Sequence, residues 1–138
     1  MGGVLIVILA YRTSGEGLSR GRVVLVEDEP NLRRLGETIL TKMGFTVSAH
    51  EDAETALVTL STHDDIVLLA TDMSLPGMNG VQLAHTIRAR MPVVPILLMS
   101  GHDQDEIDAA GGVPNPGMTL QKPIGLADLR AAVDTLLS

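Results

Sequence analysis

Between Arg22 and Ser138, short runs rich in Val, Ile and Leu alternate five times with amphipathic stretches, and few folds accommodate that rhythm. The runs are Val23–Val26, Thr46–Ala49, Ile66–Ala70, Pro95–Met99 and Met118–Leu120. The first, third and fourth are almost unbroken in apolar residues, as strands covered on both faces must be. Parallel strands cannot be joined by a tight turn, so each needs a crossover, and the amphipathic stretches supply it.

Those stretches carry apolar stripes at helical spacing. The first has Leu32, Leu35, Ile39, Leu40 and Met43, the second Ala53, Ala56, Leu57 and Leu60, and the third Leu83, Ala84, Ile87 and Met91. Pro30 stands where a first helical residue belongs and Gly44 follows the last periodic one, which punctuates the first helix at both ends. The fourth helix is the weakest, with only Ile107, Ala109 and Ala110, and the last places Leu126, Leu129, Val133 and Leu136 on one face. The expected fold is α/β, a flavodoxin-like (βα)5 three-layer sandwich around a five-stranded parallel sheet. In such folds ligands bind at the carboxyl ends of the strands, beside the point where strand order reverses.

A chain of 138 residues holds one such core. We expect residues 1–20 to form an N-terminal extension or linker and residues 21–138 the folded domain. Val4–Tyr11 is apolar but far short of the ~20 residues that a spanning helix needs, so no membrane span is expected. It lacks the basic lead and small-residue cleavage site of a secretory signal, and Thr13–Arg20 reads as a polar linker. The net charge of −7, with lysines and arginines scattered, argues against direct nucleic-acid binding. With no cysteine there is neither a disulfide nor a thiolate metal site, and a cytoplasmic location is expected.

The chemistry gathers at the strand ends. Glu27 and Asp28 follow the first run, Asp72 the third, Ser100 the fourth and Lys122 the fifth. An aspartate closing a strand is most often a turn or helix cap; the convergence of the set is what points to function. Carboxylates crowded into one crevice repel one another and raise their pKa values unless a cation holds them. Magnesium suits this set, because it takes a few carboxylate oxygens, several waters and a phosphate oxygen. Asp28 and Asp72 are expected as direct ligands, with Glu27 holding a coordinated water. Glu29 reads as a helix-start charge. The four histidines, His50, His63, His85 and His102, share no ligand spacing, although His102 falls at the mouth of the crevice.

Four segments carry a family likeness: VLVEDEP at Val24–Pro30, TDMSLPGMNG at Thr71–Gly80, LMSGHD at Leu98–Asp103 and LQKP at Leu120–Pro123. Over about Gly21–Ser138 the chain resembles the receiver domains of response regulators in two-component and phosphorelay systems. The resemblance implies that Asp72 is the phosphoacceptor and that Asp28 and Asp72 bind Mg2+, with Ser74 giving the ion a backbone carbonyl. It implies that Ser100 bonds the phosphoryl group, that Lys122 pairs with it, and that the Lys122–Pro123 peptide is cis. The donor would be the phosphohistidine of a histidine kinase or a histidine phosphotransfer protein. Such a domain traps one phosphoryl group per chain, and on that ground we expect it not to be an enzyme.

Thr119 departs from the pattern, since the family usually carries an aromatic ring there. A modest phosphorylation-dependent change of the output face is expected in consequence. The sequence stops at Ser138, which suggests output through another protein or a place as the terminal receiver of a hybrid histidine kinase. Two other classes of protein share parts of this pattern. A phosphorylation-independent interaction module with the same fold would have no need of Asp72, Ser100 and Lys122 together. A magnesium-dependent aspartyl phosphatase would show a second aspartate where Ser74 stands.

Overall fold

The computed structural model describes Leu18–Ser138; the readings made for Val4–Tyr11 and for most of the linker lie outside the described residues. Ten elements alternate along the chain: β1 (Arg22–Val26), α1 (Pro30–Lys42), β2 (Thr46–His50), α2 (Ala53–Thr62), β3 (Ile66–Asp72), α3 (Gly80–Arg90), β4 (Ile96–Ser100), α4 (Gln104–Ala109), β5 (Gly117–Gln121) and α5 (Leu126–Leu137). The strands form one parallel sheet in the order β2-β1-β3-β4-β5. This is the flavodoxin-like (βα)5 arrangement. Strand order reverses between β1 and β3, so the crevice lies above their carboxyl ends.

Alternation along each strand feeds two cores. Val23, Leu25, Leu68, Ala70, Leu97 and Met99 point to one face and meet Leu40 of α1 and Leu129, Ala132 and Val133 of α5. Val24, Val26, Leu69 and Ile96 point to the other and meet Ala53, Ala56 and Leu60 of α2 and Leu83, Ala84 and Ile87 of α3, and Ile66 joins this second core beside a register shift between β1 and β3. A smaller cluster of Met73, Val81, Leu98 and Ile107 seats α4. The helix starts follow from their caps. Glu29 accepts from the amides of Asn31 and Leu32 ahead of Pro30, and Asn79 and Asp103 each close a capping box with Gln82 and Glu106.

Part of the expected burial is corrected. Leu32 and Leu35 are 46% and 54% exposed and Leu126 is 53% exposed, although all three lie on the apolar stripes of α1 and α5. Ala109 and Ala110 are exposed too, leaving Ile107 as the one buried anchor of α4. Helical period identifies which side of a helix is apolar; how much of it is covered depends on the partner surface opposite. Here Leu32, Leu35 and Ile39 border an open apolar groove of about 460 Å3 with Ile124 and Leu129.

β3 and β4 run two and one residues further than their apolar runs suggest, to Asp72 and Ser100. Both polar residues are therefore held in the ladder, with Asp72 in register with Met99. Among the described residues no helix is long and apolar enough to cross a membrane.

Candidate functional site

Three strands deliver the site. Glu27 and Asp28 leave the end of β1, Asp72 closes β3, and Lys122 follows β5. Carboxylate oxygens of Glu27, Asp28 and Asp72 lie within 4.8 Å of one another, the one group among the described residues able to hold a metal ion. Glu27 and Asp72 are buried at 4% and 5% exposure, whereas Asp28 is exposed. A donor set made only of carboxylate oxygens, open on one side to water, fits Mg2+ and offers nothing to a softer metal.

The Lys122 ammonium donates to both buried acids, to Glu27 Oε1 at 2.9 Å and to Asp72 Oδ2 at 3.0 Å. Burial pushes the Glu27 carboxyl above its ordinary range, and neither the Lys122 bond nor the Glu29 amide at 3.2 Å brings it back. Burial also works against the Lys122 ammonium, but bonds to Glu27 and then Asp72 outweigh it and hold its pKa above the usual lysine value. The lysine is aimed by its backbone: its amide donates to the Ser100 carbonyl at 2.7 Å, and the Lys122–Pro123 peptide is cis, as expected.

The remaining candidates border this centre. Ser74 donates its amide to Asp72 Oδ1 at 3.4 Å. Ser100 is 1% exposed; its hydroxyl donates to the Met73 sulfur at 3.5 Å and accepts the His102 amide at 2.9 Å. His102 spans the mouth, with Nδ1 2.9 Å from Glu106 and Nε2 3.4 Å from the Ser74 hydroxyl. Its hydrogen bond holds the Glu106 carboxyl below the usual range.

Two features escape sequence reasoning. The Glu27–Lys122 pair joins residues 95 positions apart, and no local signal couples them. Gly80 sits where any Cβ would collide with the Asp72 carbonyl oxygen. Its amide closes the β3–α3 loop onto the Met73 carbonyl at 2.8 Å. That close approach is the physical reason for glycine at this position. Thr119, in place of the expected ring, donates its hydroxyl to Gln104 Oε1 at 3.0 Å, tying β5 to α4 beside a cleft of about 200 Å3.

The family model for the response regulator receiver domain matches residues 23–134, and the chain belongs to that family. It is 32% identical over 123 residues to the DNA-binding transcriptional regulator NtrC of Klebsiella pneumoniae, a match covering 88% of this chain and 26% of NtrC. The chain thus spans about a quarter of that relative's length. A response regulator receiver protein from Sinorhizobium medicae WSM419 superposes with a TM-score of 0.77 at 31% identity, over 85% of this chain and 94% of that one. TrrA from Thermotoga maritima, solved in complex with Mg2+-BeF, shares the fold with a TM-score of 0.73 at 24% identity, over 85% of this chain and 99% of its own.

The Glu27, Asp28 and Asp72 cluster matches the Mg2+ and aspartate phosphorylation site of receiver domains. It also corrects the expectation that the chain is not an enzyme. A buried carboxylate, an ammonium and an acid cluster able to hold a metal ion converge on one point in a chain of the receiver family. Groups so placed are suited to promote phosphoryl transfer to and from a carboxylate, and that is catalysis. One trapped phosphoryl group per chain does not exclude catalysis, because groups that promote its arrival can also promote its loss.

Proposed function

We propose that the chain receives a phosphoryl group on the Asp72 carboxylate from the phosphohistidine of a histidine kinase or a histidine phosphotransfer protein. The supporting observation is the Lys122 ammonium 3.0 Å from a buried Asp72 oxygen, inside the metal-binding cluster. An Asp72 oxygen attacks phosphorus, the phosphorus–nitrogen bond breaks, and the imidazole leaves with the electron pair. The carboxylate is already ionised, so no base is required. Asp28, Asp72, a water on Glu27 and the Ser74 carbonyl would hold Mg2+, which when bound would neutralise charge on the phosphoryl oxygens.

Lys122 shifts its ammonium from Asp72 toward a phosphoryl oxygen while keeping Glu27 as its second partner. Ser100 turns its hydroxyl from the Met73 sulfur to donate to another. Water then attacks phosphorus, the acyl phosphate bond breaks, and the Asp72 carboxylate returns. The exposed Leu32 and Leu35 beside a groove that also reaches Lys122 suit the apolar face of a partner helix. Passage of the signal to a further protein and a cytoplasmic location belong to the same reading.

The test is transfer from a phosphorylated histidine phosphotransfer protein. Label should pass to the wild-type chain in the presence of Mg2+ and fail to reach the Asp72→Asn variant. Equal labelling of the two would defeat the assignment.

A further inference from the structure

The acid cluster stands on a turn that the sheet does not finish. β1 ends at Val26, and the amide of Glu27 makes the last bond to β2, through the His50 carbonyl at 2.9 Å. The carbonyls of Glu27 and Asp28 find their partner on α1. Arg33, half-buried one turn into that helix, donates Nη1 to Glu27 O at 2.9 Å and to Asp28 O at 3.3 Å. One guanidinium nitrogen thus braces the two consecutive peptide units whose side chains meet Asp72 in the cluster.

Resting on the reading of the cluster as a Mg2+ site, we propose that Arg33 is a positioning residue for the ion. By fixing the Glu27 and Asp28 carbonyls it fixes where their carboxylates stand. Two effects of Arg33 on a bound cation oppose each other. Its positive charge disfavours a second cation nearby, whereas its hydrogen bonds hold the ligands where an ion with strict octahedral demands needs them. Positioning wins. Asp28 is exposed, so water and salt screen the charge, while small ligand displacements are poorly tolerated at oxygen distances of about 2.0–2.1 Å. The other bonds of the turn do not replace the brace. The Glu27 carboxylate accepts the Glu29 amide and Glu29 caps α1, but neither reaches the two carbonyls that Arg33 holds.

The experiment is calorimetric titration of Mg2+ into the full chain, wild type, Arg33→Lys and Arg33→Ala, with folding checked by far-ultraviolet circular dichroism. Alanine keeps the helix, being the best helix former. Loss of an outer-shell partner typically weakens metal affinity about 10–100-fold, and we expect Arg33→Ala in that range. Arg33→Lys, which keeps the charge and can still donate, should fall between it and wild type. Amide exchange at Asp28 and Glu29 in the metal-free protein should quicken in the same order. Affinity equal to or tighter than wild type in Arg33→Ala would overturn the proposal, because a residue acting through charge alone tightens binding when removed. Should the alanine variant not fold, Arg33→Lys decides by the same criterion. A wild-type chain that binds no Mg2+ would overturn the reading of the site itself, and the role of Arg33 with it.

Discussion

Replacing Lys122 with methionine keeps most of the aliphatic stem and removes only the ammonium, so it isolates what the cation does for the two acids it touches. Breaking a buried ion pair from one side costs about 3–5 kcal/mol, because the charge left behind has lost its partner. Here the lysine side chain is 25% exposed and those of Glu27 and Asp72 are 5% and 7% exposed, so water compensates in part. We expect a loss of about 2–4 kcal/mol in metal-free protein at neutral pH, or roughly 10 °C in Tm for a domain of this size. Glu27 gives the loss its pH dependence. Its pKa already lies above the ordinary 4.5 because of burial, and losing the Lys122 bond raises it further. An acid whose pKa is higher folded than unfolded binds more protons folded, so stability falls as pH rises through the folded pKa. The deficit should therefore be large at neutral pH and shrink in mild acid, where Glu27 is protonated. Magnesium should also shrink it by supplying the missing positive charge. The assay is urea unfolding followed by circular dichroism, with EDTA or with Mg2+, across that pH range. An unchanged midpoint in EDTA at neutral pH, or a deficit that grows on acidification, would refute the reasoning.

Gly80→Ala should destabilise the fold by about 1–3 kcal/mol by urea unfolding despite alanine's better helix propensity, since the added methyl must push back the Asp72 carbonyl. Phosphorylation should slow with it, as the end of β3 shifts; stability and labelling rate both at wild-type level would show that the loop has room. Asp28→Ala should lose most Mg2+ affinity and label slowly while the metal-free protein unfolds at the same or slightly higher urea, because one of three mutually repelling carboxylates is gone. An unaltered Mg2+ titration would remove Asp28 from the ligand set.

Much of this site can be read along the chain because each strand announces its own end. Continuous Val, Ile and Leu in β1, β3 and β4 give way to an acid or hydroxyl where the sheet stops, and a parallel sheet brings those ends together. What stays hidden depends on distances in space. Helical period puts Leu32, Leu35 and Leu126 on apolar stripes, yet nothing local says that the facing surface falls short of covering them. The Glu27–Lys122 pair and the brace from Arg33 to the β1–α1 turn are likewise products of packing, since glutamate, lysine and arginine at those positions read equally well as solvated charges. Thr119 was visible as a departure, but its bond to Gln104 required the placement of α4.

The most direct test of the account is the site and metal dependence of phosphorylation by a small donor. Wild-type chain treated with acetyl phosphate should gain one phosphoryl group in Mg2+ and almost none in EDTA, with peptide mass mapping placing it on Asp72. The Asp72→Asn variant should gain none under either condition. A stoichiometric label on another residue, or labelling of Asp72 that is as fast in EDTA as in Mg2+, would contradict the account.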